Sequence, residues 1–218
     1  MSRQNQATLA VYDRLAKKYM DNTVAHSQLS PEKARKKQSV LEQFLLESFN
    51  ETLSNGKILE IGSGDGSNAL FLKNFGFDII ASDVADAFLA SCRAKGLTTI
   101  KLNAIEDEIP SPLVGVLAWR TFVHFAKEDL AKTFQKIYAA LTDNGVFVFN
   151  ILNKAYSGVD EQWMDFPDEY KMGEQRFFAY YTDSYIKDLA TKTGFKIKEC
   201  QEQGGNTGNK WLCFVLQK

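Results

Sequence analysis

The chain contains little cysteine, histidine or proline. Its 218 residues include three cysteines, two histidines and four prolines. Because Cys92, Cys200 and Cys213 form no C-x-x-C pair and only two histidines could join them, neither a structural zinc site nor a disulfide framework is expected. The sequence therefore predicts no metal site.

A large net charge and a long hydrophobic run are also lacking. The 26 Lys and Arg residues against 27 Asp and Glu residues leave a formal net charge of −1. A chain of this charge, with no basic patch interleaved with aromatics, has no field that attracts nucleic acid. No apolar run approaches the roughly 20 residues of a membrane helix, and the N-terminal segment has no signal-peptide core. We expect a cytoplasmic protein with no nucleic-acid or membrane partner.

Two helices are predicted at the N-terminus. The first covers 7–20, where apolar residues recur at helical spacing, and the second runs from an N-cap at Ser30, with Pro31 in its first turn, to about residue 50. The apolar positions of the first helix are Leu9, Tyr12, Leu15 and Tyr19.

Strands and helices alternate from Lys57 onward. The predicted strands are 57–61, 78–82, 98–102, 113–118 and 145–151, and the helices between them are 65–75, 85–95 and 127–141. The last helix is expected to stop at Asp143-Asn144-Gly145. This alternation predicts a parallel sheet with helices on both faces.

The C-terminal pattern differs from that alternation. After a helix over 183–193, the apolar runs 195–200 and 211–217 are separated by a Gly/Asn-rich loop with no helix, so they must pair as an antiparallel hairpin. The predicted fold is α/β: a Rossmann-like three-layer sandwich with a seven-stranded, mostly parallel sheet and an antiparallel C-terminal hairpin.

A glycine loop follows the first strand and opens a helix. Gly62, Gly64 and Gly66 allow the backbone to turn and to approach a ligand closely. Asp83 ends the second strand, where a carboxylate can accept hydrogen bonds from both ribose hydroxyls. The spacing of these glycines is G-x-G-x-G, whereas the dinucleotide-binding fingerprint is G-x-G-x-x-G. The loop therefore suits a nucleoside-like ligand rather than clearly a dinucleotide.

Residues 50–218 resemble the class I, S-adenosylmethionine-dependent methyltransferases. KILEIGSGDG (57–66) is similar to the family's first motif, NAIEDEIP (103–110) to its G-D-A-E-D-L-P segment, and AWRTFVHF (118–125) to the stretch that ends its fourth strand. The resemblance implies S-adenosylmethionine as cofactor and S-adenosylhomocysteine as product, with a monomer or a homodimer as the assembly. Because the chain has neither a cysteine-rich substrate site nor a basic patch for nucleic acid, we expect a small-molecule acceptor, with a peptide or a protein as the remaining alternative. The resemblance also implies an in-line substitution in which the protein mainly positions the reactants and excludes water.

The same resemblance implies one methyltransferase domain over 1–218. Its parts are an N-terminal helical cap (1–50), a cofactor-binding core (51–152), a substrate lid (153–181) and a C-terminal helix and hairpin (182–218). Within it, Glu60 orders the loop, Asp83 holds the ribose, and the amide oxygen of Asn103 accepts from the adenine amino group. The other implied cofactor contacts are Tyr19, Gly62, Ser63, Gly64, Val84, Ala104 and Ala118.

Candidate catalytic residues are His124 and Arg120, each with a second interpretation. His124 follows the fourth strand and could take a proton, or it could simply hydrogen-bond a neighbouring loop or cap a helix. Arg120 could bind an anionic acceptor or the cofactor carboxylate, or it could be a surface residue held by Glu128 or Asp129.

The lid is rich in aromatic and acidic residues, and the candidate substrate contacts are Tyr12, Arg120, Trp163 and Phe178. An aromatic, acidic lid suits a flat or cationic molecule, but the aromatics could equally pack the lid onto the sheet while the acids are solvated. Tyr12 and Tyr19 could likewise be core aromatics. The acids over 159–174 are Asp160, Glu161, Asp165, Asp168, Glu169 and Glu174.

Two other functions remain open on these residues. One is a protein that binds S-adenosylmethionine without methylating, as a regulator or a partner subunit. The other is an NAD-dependent dehydrogenase, which the glycine spacing and the C-terminal hairpin disfavour.

Overall fold

The computed structural model describes residues 1–29, 31–50, 56–204 and 210–218. The helices in these ranges are α1 (Arg3–Leu29), α2 (Pro31–Phe49), α3 (Ser67–Asn74), α4 (Asp86–Ala94), α5 (Lys127–Ala140) and α6 (Asp183–Thr193). The strands are β1 (Lys57–Ile61), β2 (Asp78–Asp83), β3 (Thr98–Lys101), β4 (Leu113–Ala118), β5 (Leu141–Asn153), β6 (Glu161–Asp165), β7 (Gln175–Tyr181), β8 (Lys196–Gly204) and β9 (Lys210–Gln217). The predicted N-cap Ser30 lies outside the described residues.

The sheet has the predicted arrangement. Strands β3, β2, β1, β4 and β5 lie side by side in that order and are parallel, β9 pairs antiparallel with β5, and β8 pairs antiparallel with β9. All six residues of β4 are buried, as expected for a strand covered on both faces. The α/β fold with its antiparallel C-terminal hairpin is therefore confirmed.

Two apolar clusters cover the two faces of the sheet. Alternate residues of each strand point to opposite faces, so Phe147 packs with α5 and α6 on one side, and Val148 packs with α2 and α3 on the other. The three layers follow from this alternation.

A second hairpin, β6–β7, was not predicted, so the sheet in the described ranges has nine strands and not the predicted seven. Strand β7 pairs antiparallel with β6 and, through Tyr180 and Tyr181, parallel with the end of β5. Phe177 of β7 is buried in the core, while Arg176 and Phe178 lie on the opposite face of the strand. The predicted lid therefore contains a β-hairpin with an inner and an outer face.

Helix α1 extends beyond the predicted 7–20 at both ends, and polar residues outside the apolar stripe anchor its N-terminal part. The Asn5 side chain donates to the carbonyl of His124 and accepts from the N–H of Ala126, and Thr8 Oγ1 accepts the N–H of Phe177 at 3.0 Å. These bonds hold α1 across the segment that follows β4 and against β7.

The turn Asp143-Asn144-Gly145 does not end α5 as expected. The helix ends earlier, at Ala140, and Leu141 already has extended backbone angles. Asn144 has a φ of 62°, and the pairing register of β4 with β5 shifts in this region. The turn therefore interrupts the start of β5 instead of terminating the helix.

None of the described helices has the length and apolar character needed to cross a membrane.

Candidate functional site

A cavity of about 1420 Å³ opens at the carboxyl ends of β1, β2 and β4, beneath α1. In an open α/β sheet this is where ligands bind, because the strand order reverses between β1 and β4. The predicted site residues on its wall are Tyr12, Tyr19, Gly62, Ser63, Gly64, Asp83, Val84, Asn103, Ala104, Arg120, His124 and Phe178. Glu60, Ala118 and Trp163 do not line it.

The glycine loop has a packed side and an open side. Gly62 and Gly64 have φ values of 70° and 54°, in the left-handed region that favours glycine. A Cβ on Gly62 would lie 2.4 Å from Thr121 Oγ1, whereas a Cβ on Gly64 would meet no atom within 4 Å. Gly64 thus lets a ligand lie directly against the backbone at the cavity wall.

Asp83 is bonded to this loop. Its Oδ2 accepts the N–H of Gly64 at 3.0 Å, and its Oδ1 accepts the N–H of Ala85 at 3.0 Å. Burial raises the pKa of Asp83, and the backbone N–H bonds oppose that shift. Each carboxylate oxygen keeps a second lone pair, so the group can still accept from two ligand hydroxyls.

Glu60 lies behind the loop and not in the cavity. Its carboxyl is 1% exposed, Oε1 accepts from Asn68 Nδ2 at 3.1 Å, and Oε2 has no partner. Burial raises the pKa of Glu60 to about 7, against the opposing hydrogen bond from Asn68. The Glu60 carbonyl also accepts from the hydroxyls of Ser63 and Ser82. Glu60 therefore ties the loop to α3 and β2.

We expect Glu60→Gln to change the pH dependence of stability. Between the ordinary pKa of 4.5 and the folded-state pKa of about 7, the folded protein holds a proton on Glu60 that the unfolded chain releases. Wild-type stability is therefore lost as the pH rises through this window, by at most about 1.4 kcal/mol per pH unit. Glutamine does not titrate, so the free energy of unfolding of the variant minus that of the wild type should increase from pH 4.5 to 7.

Urea unfolding at several pH values measures this difference. His124, whose lowered pKa acts in the opposite direction, is present in both proteins and cancels. Glu128→Gln, at an exposed position on α5, is the matched control. A difference that stays flat across the window would show that Glu60 is ionised in the folded protein.

The predicted adenine side is formed by residues after β2 and β3. Val84 lines the cavity beside Asp83, and Asn103 and Ala104 line it from the next loop. Asn103 Oδ1 accepts the N–H of Ile105 at 3.1 Å, which fixes the orientation of the amide. Ala118, at the end of β4, is fully buried below this surface.

His124 is held by protein groups at both ring nitrogens. Nδ1 lies 2.7 Å from the carbonyl of Phe177, which can only accept, so Nδ1 carries the proton and Nε2 accepts from the Tyr12 hydroxyl at 3.1 Å. Burial, followed by the nearby charge of Arg176, lowers the pKa of His124 to about 4. The ring is therefore neutral at pH 7 with both nitrogens engaged, which favours the structural interpretation over the general base.

Arg120 lies at the mouth of the cavity. Its φ is 58°, its N–H donates to Asn150 Oδ1 at 2.6 Å, and its guanidinium lies 5.6 Å from the centre of the Trp211 ring. Of the two expected protein partners, Asp129 accepts instead from the N–H of Ser2. The side chain is exposed and faces the cavity and the Trp211 ring.

Trp163 faces away from the cavity. It lies on β6 next to Met164, which lines the cavity, and successive residues of a strand point to opposite faces. Its ring is 5.9 Å from that of Phe177 and 45% exposed. On this strand Met164, and not the predicted Trp163, lines the cavity.

Sequence reasoning missed Arg176, which lines the cavity from β7. Its Nη1 donates to the Tyr12 hydroxyl at 3.1 Å, and its guanidinium lies 3.8 Å from the centre of the Phe166 ring. The available signal was a single charge within the aromatic run QRFFAYY.

Across the described ranges, no group of three or more His, Cys, Asp or Glu side chains could hold a metal ion.

The fold and the cavity together define a class of protein. The sheet is parallel, a glycine loop follows β1, a carboxylate ends β2, and a cavity lies between them. This arrangement is typical of nucleoside-binding α/β proteins. Residues 31–199 match the family model described as "Methyltransferase domain". The chain belongs to this family, the class I S-adenosylmethionine-dependent methyltransferases, and is an enzyme of that type.

Curated and solved relatives agree with this assignment. A carboxy-S-adenosyl-L-methionine synthase from Campylobacter concisus is 28% identical over 174 residues, covering 70% of this chain and 74% of the relative. The magnesium protoporphyrin IX methyltransferase of Synechocystis PCC 6803 has a TM-score of 0.73 at 8% identity, covering 100% of this chain and 98% of that one. The 1,6-didemethyltoxoflavin-N1-methyltransferase of Burkholderia thailandensis has a TM-score of 0.69 at 14% identity, covering 100% and 91%. At these identities the solved structures show a shared fold.

Proposed function

We propose that the protein transfers the methyl group of S-adenosylmethionine to a small-molecule acceptor inside the cavity beneath α1. The observation that carries the proposal is the bond between Gly64 and Asp83, which sets an open stretch of backbone beside a carboxylate at the cavity wall. The cavity, at about 1420 Å³, exceeds the roughly 300–1,000 Å³ of a typical single-ligand pocket. That volume leaves room for an acceptor beside the cofactor.

The cofactor side is formed by the chain's own loop and strand ends. Asp83 would accept from the ribose hydroxyls, Val84 would contact the adenine, and the backbone at Gly62 and Gly64 would lie under the methionine part. The sulfonium carries its own leaving group. The protein therefore has to orient the two reactants, a contribution of roughly 7–11 kcal/mol to lowering the barrier.

The acceptor side is formed by α1 and the β6–β7 hairpin. Tyr12, Met164 and Phe178 line the cavity there, and these largely apolar groups exclude water from the reacting atoms. His124 accepts from Tyr12 and so fixes the position of the Tyr12 hydroxyl. We assign His124 a positioning role and require no general base.

The solved relatives support a small organic acceptor. Two of them are named for magnesium protoporphyrin IX and for 1,6-didemethyltoxoflavin. We further propose that residues 1–218 form one catalytic domain, with the cap, core, lid and hairpin divided as the sequence predicts.

A ligand-binding comparison tests the cofactor assignment. Calorimetry should show saturable binding of S-adenosylhomocysteine and no binding of NAD. Tight NAD binding without a response to S-adenosylhomocysteine would establish the dehydrogenase alternative.

The Campylobacter concisus relative favours a second candidate function. Its name describes synthesis of a carboxylated S-adenosylmethionine, so a reaction that modifies the cofactor itself is the alternative for this chain. Incubation with methyl-labelled S-adenosylmethionine and a small-molecule extract separates the two. Methyl transfer predicts label in a new acceptor together with S-adenosylhomocysteine, whereas the second candidate predicts label retained on a heavier sulfonium. Label that stays on unchanged S-adenosylmethionine would support a non-catalytic binder.

A further inference from the structure

Arg176 is a cation on the cavity wall with unused hydrogen-bonding capacity. Its Nη1 donates to the Tyr12 hydroxyl at 3.1 Å, but its Nε is buried and has no partner. Among the side chains that the structure describes, no carboxylate lies within ion-pairing distance of this guanidinium. A guanidinium has five N–H donors, and a buried donor without an acceptor is costly.

The described acids near Arg176 form no ion pair with it. Glu174, two residues earlier, pairs with Arg14 on α1. The two oxygens of Asp83 accept backbone N–H bonds, and Asp165 is exposed at the rim. The protein therefore places a positive charge on the cavity wall with no ion-pairing carboxylate among the described side chains.

Aromatic rings hold the guanidinium in place. It lies 3.8 Å from the centre of the Phe166 ring and 5.1 Å from that of Phe178. Stacking against a ring uses the face of the guanidinium and leaves the in-plane N–H groups for a ligand. Its charge also helps to keep His124 neutral. The cation is thus fixed before a ligand binds.

We propose that the methyl acceptor carries a carboxylate that Arg176 binds through its free N–H edge. One carboxylate balances one guanidinium and matches its planar geometry, whereas a doubly charged phosphate would require further donors. Phe178 and Met164 line the cavity beside this position, so the rest of the acceptor is expected to be apolar. The inference rests on the proposed function, since it names the substrate class of the same cavity. It replaces the flat or cationic molecule that the acidic lid suggested.

Matched acids and amides test the proposal. With the protein saturated by S-adenosylhomocysteine, calorimetry compares benzoate with benzamide and phenylacetate with phenylacetamide. In the wild type at least one acid should bind five or more times as tightly as its amide. The preference should fall to within twofold in Arg176→Gln, and Arg176→Lys should retain part of it. Arg93→Gln is the control: Arg93 is an exposed arginine of α4 that is bonded to Thr99 and does not line the cavity. Its preference for acids over amides should equal that of the wild type.

Several results would overturn the inference. One is a preference for the acid over its amide that persists in Arg176→Gln. Another is a wild type that prefers neither acid over its amide. The third is inorganic phosphate that displaces the acids at a lower concentration than the acids themselves need to bind. S-adenosylhomocysteine affinity is measured in every variant and should be unchanged. If S-adenosylhomocysteine binds while the acid preference is absent, only this inference fails. If the wild type does not bind S-adenosylhomocysteine at all, the proposed function itself is overturned.

Discussion

Asp83→Ala should weaken binding of S-adenosylhomocysteine about 5- to 150-fold. The substitution removes a carboxylate that would accept hydrogen bonds from the ligand, a loss of roughly 1–3 kcal/mol. It also frees the N–H of Gly64, which Asp83 holds at 3.0 Å, and so loosens the loop beside the ligand. Both effects act on the cofactor side of the cavity. Calorimetric titration of the variant and the wild type measures the change.

The nearby Asp86 provides the matched control. It begins α4, is exposed and pairs with Lys101, so Asp86→Ala should leave the affinity for S-adenosylhomocysteine within about twofold. Thermal unfolding of both variants separates a binding defect from a folding defect. An Asp83→Ala protein that is folded and binds with the wild-type dissociation constant would place the ribose elsewhere.

Gly64→Ala should weaken binding of S-adenosylhomocysteine at least tenfold. The added methyl group meets no protein atom within 4 Å, so it would occupy the open cavity where the ligand is proposed to lie. It also places alanine at a φ of 54°, which costs roughly 1–2 kcal/mol in stability. The effect on binding must therefore be separated from this backbone strain.

Gly158→Ala isolates the strain. Gly158 has a φ of 71° and likewise no atom within 4 Å of an added Cβ, but it lies in a surface turn outside the cavity. The two variants should lose similar stability, and only Gly64→Ala should lose affinity for S-adenosylhomocysteine. Equal affinities in both variants would mean that no ligand approaches Gly64.

Local sequence signals were enough to predict that the glycine loop and Asp83 lie together. Strand, glycine loop, helix and terminal acid follow each other within 57–83, and the parallel sheet brings the ends of β1 and β2 together. Register pairs Ile61 with Ser82, so the loop after β1 meets Asp83 without any long-range information. The family resemblance added the identity of the ligand.

The acceptor side depends on contacts between distant segments, and these were not predictable. Arg176 reaches the cavity because β7 pairs with β6 and α1 packs against β7, which brings the Tyr12 hydroxyl to 3.1 Å from Arg176 Nη1 across 164 residues of chain. Asn5 and Thr8 are polar residues outside the apolar stripe, yet both are fully buried anchors of α1. Trp163 and Met164 are adjacent in sequence, and only the register of β6 decides which of them faces the cavity.

A crystal structure of the complex with S-adenosylhomocysteine would locate the bound cofactor. We predict density for the ribose within hydrogen-bonding distance of the Asp83 carboxylate, with the amino-acid part of the ligand along the backbone of Gly62 and Gly64. A nucleoside bound away from the ends of β1 and β2, or a glycine loop that closes over its own cavity, would contradict the assignment.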